Sequence, residues 1–165
     1  MLKCFRKITA LALSAVMALS VSTAAVVNAG AVESAAVGSG ETLTYGDFRY
    51  QILDDGTVEI TGYSRFSSNT EIVIPDEIDG RKVTSIGAGG FENNMKLTGV
   101  TIPDGVVSIN EYAFSYCYNL KSIIIPDSVM NIGQFAFTEC SSLKSIVIPK
   151  GVTSIGSDAF YGCSG

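Results

Sequence analysis

The residues of this chain that could do chemistry are few, and they fall in columns. Cys117, Cys140 and Cys163 lie 23 residues apart, and Asn94 holds the place one period earlier. A line of thiols invites two readings, a disulfide or a metal site. If each thiol belongs to one layer of a stack, the layers are about 4.8 Å apart and the Cα spacing permits a bridge. Parallel Cβ vectors stay as far apart as the layers, however, beyond the ~3.8 Å a disulfide prefers. Three collinear thiols lack zinc's tetrahedral geometry, and the chain has no histidine to complete a site. The column therefore reads as buried free thiols packing as small hydrophobes. Asp76, Asp104 and Asp127 each follow a proline, which suggests a carboxylate ladder for calcium. Lys150 takes the fourth place in that series, and Pro-Asp is ordinary turn chemistry. With no His and only column cysteines, no nucleophile–base pair can be assembled, and no two carboxylates are singled out as a glycosidase pair. The expectation is a chain with no catalytic residues, no metal and no cofactor.

What positions these residues is a repeat. Val83–Phe91, Val106–Phe114, Val129–Phe137 and Val152–Phe160 are near copies, and the phenylalanines that close them are 23 residues apart. Leu97, Leu120 and Leu143 keep the same spacing, as do Ile102, Ile125 and Ile148. A fixed period in this range means a solenoid, in which each unit buries its apolar face only against its neighbours. Within a unit, Leu120, Ile123 and Ile125 follow L-x-x-L-x-L, so a strand points Ile123 and Ile125 the same way. Pro75, Pro103, Pro126 and Pro149 end these strands, because proline has no N–H to give a ladder. A second short strand (Val129, Ile132) follows, then Gly133. Phe135 to Cys140 is expected to form one helical turn or a 3₁₀ segment that buries Ala136, Phe137 and Cys140. Phe114, Phe137, Leu120, Leu143, Ile125 and Val129 are the expected core. The Pro75–Pro103 interval is 28, and Ile78–Lys82 is read as a corner insertion in the first rung.

The chain before the repeats has two parts. Lys3, Arg6 and Lys7 precede an uncharged apolar run from Ile8 to Val21, and Val27-Asn28-Ala29 offers small residues for cleavage after Ala29, or after Ala31. The run is too short for a comfortable span of about 20 residues, so residues 1–29 read as a secretion signal, and no membrane insertion is expected once it is removed. Taking its three cations from the chain's 11 leaves 8 against 16 acidic residues, a net charge of −8. That argues against nucleic acid and anionic membranes as partners. Residues 30–45 read as a linker, 46–70 as a hairpin cap and 71–165 as a solenoid of about four rungs. In the hairpin, a three-residue Asp54-Asp55-Gly56 loop pairs Ile52 with Val58 and Tyr50 with Ile60, keeping the apolar residues on one face. The array stops after the Ala-Phe-x-x-Cys of the fourth rung, the third such unit, without a further strand. The expectation is therefore a piece of a longer product, with its last rung fraying from Lys150.

The units Ile-Pro-Asp-x-Val-x-x-Ile-Gly-x-x-Ala-Phe-x-x-Cys-x-x-Leu-x-x-Ile resemble the BspA-like leucine-rich repeats of bacterial surface and secreted proteins. Asp79–Gly87 is similar to the segment with which such arrays open. The resemblance covers about Gly46 to Gly165. It implies an α/β repeat fold, a leucine-rich-repeat solenoid of short parallel strands and short helical turns with an N-terminal β-hairpin cap. It also implies a secreted or surface-attached protein, since characterised members act as adhesins and others are recognition modules of larger secreted proteins.

Two surfaces are candidates for binding a protein or a glycan. One is the outward side of the long strands, with Val73, Thr101, Ile124 and Val147 in one column and Lys121 and Lys144 flanking it. β-branched residues there are also simply good sheet formers. The other is a set of aromatics the repeat does not require, Tyr112, Tyr116, Tyr118, Phe135 and Tyr161, all on the expected helical side. Tyr112 and Phe135 share a slot in consecutive rungs and are expected to stack. Partial burial between rungs is the competing explanation for these rings. The leading reading is an adhesin-like extracellular binding module. The alternative is a non-catalytic accessory region of a larger secreted enzyme.

Overall fold

The computed structural model describes residues 41–165. The secretion signal read over residues 1–29 and most of the linker read over 30–45 lie outside the described residues. Among the described residues, eleven short strands make two sheets: β1 (Leu43–Tyr45), β2 (Phe48–Ile52), β3 (Val58–Tyr63), β4 (Glu71–Val73), β5 (Glu77–Ile78), β6 (Arg81–Ile86), β7 (Gly99–Thr101), β8 (Ser108–Ile109), β9 (Ser122–Ile124), β10 (Asn131–Ile132) and β11 (Ser154–Ile155). One sheet runs β1-β2-β3-β6-β8-β10-β11 with β5 on the side of β6, and the other runs β4-β7-β9. From β6 onward the rungs stack in parallel at period 23, Ser85↔Ser108, Asn131↔Ser108 and Asn131↔Ser154. The second sheet pairs Val73↔Thr101 across the longer first interval and Thr101↔Ile124 at the regular period.

The β2–β3 hairpin pairs Tyr50 with Ile60 and Ile52 with Val58, with Gly56 at φ 82° in the loop. It then joins the solenoid sheet in parallel, Val58↔Val83 and Ile60↔Ile86. That approach explains a break in the repeat. Gly90 stands where later rungs have Ala113, Ala136 and Ala159, and a Cβ there would come within 3.0 Å of the Ile60 carbonyl oxygen. Residues 43–45, read as linker, form β1 and pair with β2, Leu43↔Tyr50. The insertion at 78–82 is a second small hairpin, in which β5 pairs with β6 around Asp79-Gly80, both at positive φ (51° and 74°). Asp79 accepts a hydrogen bond from the buried Tyr50 hydroxyl at 2.7 Å, which ties this hairpin to the first. Burial first, then the bond to Asp79, pushes the Tyr50 hydroxyl up to about 12.

The core is one continuous column structure of Leu97/Leu120, Ile86/Ile109/Ile132 and the phenylalanines. Their rings form an unbroken stack, Tyr63–Phe91 at 5.8 Å, Phe91–Phe114 at 4.9 Å, Phe114–Phe137 at 5.3 Å and Phe137–Phe160 at 5.4 Å. Five residues named as fully buried are so, Phe114, Phe137, Leu120, Leu143 and Val129, whereas Ile125 is only partly covered. The reason lies in the fourth rung. The bonds Ile74 N–H→Thr101 O and Ile102 N–H→Ile124 O carry the second sheet through the third rung. Among the described residues no strand forms at 146–148, so no ladder covers Ile125 from above.

No helix is present among the described residues, and the helical turn expected over Phe135–Cys140 is a run of tight turns instead. The hydrogen bonds say why. Ala136, Thr138 and Cys140 donate three residues back, while Phe135, Phe137 and Glu139 donate across to Ser157, Ala159 and Tyr161 of the next rung. A helix would aim every N–H along its own axis and leave those carbonyls unpaired. The alternation is maintained by left-handed backbone at two places per rung. These are Gly89/Asn93, Tyr112/Tyr116, Phe135/Glu139 and Asp158/Gly162, with φ between 53° and 73°.

Candidate binding surfaces

The cysteine column sits inside this turn stack. Cys117 and Cys140 are buried, Cys163 is half-buried, and all three are free. Each thiol donates to a phenylalanine carbonyl one rung back, Cys117 to Phe91 at 3.1 Å, Cys140 to Phe114 at 3.2 Å and Cys163 to Phe137 at 3.1 Å. Burial pushes the Cys117 thiol up to about 12 and raises the other two as well, which disfavours the thiolate form of each near neutral pH. Lys150 lies 3.0 Å from Asp127, a lysine ammonium one rung from the carboxylate that a calcium ladder would need.

On the outer side of the second sheet, Val73 and Ile124 are 70% and 62% exposed, and half-buried Thr101 lies between them in register. They line a shallow groove of about 440 Å³ together with Glu71, Gly99 and Ser122. Lys121 and Lys144 are exposed. Val147 is 81% exposed but lies outside the sheet, so the predicted four-residue column has three members.

On the turn side the rings of Tyr112 and Phe135 stack at 5.1 Å and 17°, and Tyr116 and Tyr118 meet tilted at 6.0 Å. Tyr112, Tyr118 and Tyr161 are exposed at 40%, 37% and 63%, while Tyr116 and Phe135 are half-buried. Three of these five occupy the left-handed positions: Tyr112 at φ 56°, Tyr116 at 58° and Phe135 at 55°. Bulky side chains are genuine outliers there. The repeat itself shows the relaxed solution, because Gly89 and Gly162 stand in the same two columns in other rungs. The sequence carries the signal, since both columns mix Gly, Asn or Asp with large side chains, the mark of a left-handed position.

A polar cluster also escaped the sequence reading. Glu59 accepts from Ser85 at 3.0 Å, from Asn110 at 2.9 Å and from Gln51 at 2.5 Å, which ties the hairpin to the first two rungs. Its signal, Ser85 and Ser108 in one column, is too common to single out. All its partners are internal, so it positions elements rather than offering a site.

Residues 57–165 match the BspA-type leucine-rich repeat region, in 6 copies. The chain belongs to the BspA-type leucine-rich repeat family. Among solved structures, this BspA-type chain is similar to a leucine-rich repeat protein from Bacteroides capillosus at 34% identity and TM-score 0.65, over 69% of this chain and 86% of that one. It is similar to the leucine-rich repeat protein of T. pallidum at 28% identity and TM-score 0.66, over 74% and 68%. A leucine-rich cell surface protein from Faecalibacterium prausnitzii matches at 36% identity and TM-score 0.68, over 76% of this chain and 35% of its own. The chain thus spans about a third of that protein. No curated protein matches it significantly. BspA-type leucine-rich repeats generally mediate protein binding, are often found on the cell surface or secreted, and are typically non-catalytic. No helix among the described residues is long and apolar enough to cross a membrane.

Proposed function

We propose that this chain is an extracellular, adhesin-type binding module that engages a protein ligand through its aromatic ridge. The observation that carries this reading is the left-handed backbone under Tyr112, Tyr116 and Phe135. Backbone strain of this kind costs on the order of 1–3 kcal/mol per residue and concentrates where function requires it. The repeat can fill the same columns with glycine, as it does at Gly89 and Gly162, so folding alone does not call for rings there. Tyrosine suits an interaction surface, since it offers a large rigid area for two lost side-chain rotations and keeps a hydroxyl for the wet side. The rungs beneath hold the rings in fixed register, so little further ordering is needed on binding. The resemblance to a Faecalibacterium prausnitzii cell surface protein supports an extracellular setting.

The test is binding of the full chain to a panel of immobilised extracellular-matrix proteins and polysaccharides, read by biolayer interferometry. The expected result is a protein ligand whose affinity falls about tenfold or more in a Tyr112→Gly, Phe135→Asn variant and holds in a Val73→Lys, Ile124→Lys variant. Loss confined to the second variant would move the site to the β4-β7-β9 face and overturn the ridge. Indifference to both would overturn the reading altogether.

A further inference from the structure

We infer that the partner of the aromatic ridge is a cationic protein segment whose Lys or Arg side chains insert against the Tyr112 ring. This deepens the reading above and rests on it. The turn stretches 88–95, 111–118, 134–141 and 157–164 that build the ridge contain one carboxylate each, Glu92, Glu111, Glu139 and Asp158, and no lysine or arginine. The eight cations of residues 41–165 all lie elsewhere. Lys96, next along the first rung, turns away to donate to the Ser67 carbonyl at 3.3 Å, and Arg65 reaches that rung to donate to the Glu92 backbone carbonyl at 3.3 Å without pairing its carboxylate. The two ion pairs among the described residues, Lys82–Glu77 and Lys150–Asp127, involve none of the four ridge carboxylates. Surface rings of the second to fourth rungs therefore stand beside carboxylates that form no ion pair among the described residues, on a ridge of four rungs about 15 Å long at the spacing of stacked strands.

One slot is especially suited to a cation. Tyr112 stacks on Phe135 through one face. Its other face looks toward the first rung, where Gly89 occupies the column and offers no side chain. The Glu92 carboxylate leans over that gap, with Oε2 only 3.3 Å from where a Cβ on Gly89 would be. An ammonium or guanidinium entering the gap meets a ring face within the ~6 Å reach of a cation–π contact and a carboxylate beside it. A neutral sugar would use the ring and leave the carboxylates unanswered, and an acidic glycan would be repelled by them. An extended segment of about five residues spans the ridge, and its alternate basic residues, ~6.8 Å apart, reach it at about three points along its length.

The experiment uses fluorescence anisotropy with the full chain and three labelled probes: an alternating Gly-Lys peptide, an alternating Gly-Glu peptide and a neutral β-linked glucan oligosaccharide. The expected result is binding of the Gly-Lys peptide alone, weakening by about tenfold or more between about 50 and 500 mM salt as charges are screened. Glu92→Gln with Glu139→Gln should weaken it by about tenfold. Glu41→Gln with Asp54→Asn, which removes the same charge far from the ridge, should not. Tyr112→Gly, which copies Gly89 and relieves its own backbone, should also weaken binding while the chain stays folded by circular dichroism. Equal loss in both charge variants would reduce the effect to net charge and overturn the inference. Binding of the glucan, lost in Tyr112→Gly, would overturn the cationic partner while leaving the ridge as the binding surface. Peptide binding unchanged by Tyr112→Gly would overturn the ridge itself.

Discussion

Truncating Phe137 tests the stacked core most directly. Phe137 has no exposed surface, and the rings of Phe114 and Phe160 lie against its two faces at 5.3 and 5.4 Å, within 3° of parallel. Phe160 is half-buried and has only Phe137 as a stacked neighbour. Removing a buried phenylalanine costs ~3–5 kcal/mol through lost transfer energy and the cavity left behind. Two well-made ring pairs, each worth ~0.5–1.5 kcal/mol beyond burial, place Phe137→Ala in the upper half of that range. Phe160→Ala loses one ring pair and less buried area, so about 2 kcal/mol is expected. A domain of this size is stable by ~6–19 kcal/mol, so both variants should fold and urea titrations should resolve them. In heating scans the first should lower Tm by ~15 °C and the second by less than half of that. Equal costs at the two positions, or a Phe137→Ala cost below ~1 kcal/mol, would refute a continuous load-sharing stack.

Three further outcomes follow from the same geometry. Asp158 is exposed and left-handed at φ 53°, so Asp158→Gly should hold or raise Tm slightly, because relief of ~1–2 kcal/mol opposes glycine's unfolded-state entropy of somewhat less. A clear loss in Tm would show that the turn is not strained there. Native protein should react with a thiol reagent at Cys163 first and at Cys117 and Cys140 only on unfolding, because the last two are buried. Peptide mapping of the labelled sites checks the order, and early labelling of Cys140 would contradict the packing. The thiol of Cys117 and the hydroxyl of Tyr50 are both raised in the folded state, to about 12 from 9.0 and 10.0. The unfolded chain therefore loses these protons first. Their stabilisation is complete below pH 9.0 and is lost as pH climbs toward about 12. Tm should be flat from pH 7 to about 8.5 and fall above that, and a flat profile through pH 11 would remove burial as the cause.

Periodicity alone determined the rung. Spacing of 23 at leucine, isoleucine and phenylalanine is satisfied by stacking like units, so the core of the first three rungs, where proline turns the chain and how Ile52 meets Val58 were legible, while the cover over Ile125 was not. The free thiol column was legible too, since parallel Cβ vectors cannot converge. The turn side was not. Phe135–Cys140 has the composition of a helical turn, and only the neighbouring rung, with carbonyls waiting at Ser157, Ala159 and Tyr161, makes alternating amides the better arrangement. The same holds for β1, which becomes a strand because β2 offers it an edge. It holds also for Val147, whose place in the column depended on a ladder that does not form. The aromatics could be named from the repeat as surplus, but their strain could not, because φ is set by the hydrogen bonds a residue makes across space. A periodic sequence fixes what recurs within each unit, and tertiary structure decides what each unit must concede to the one beside it.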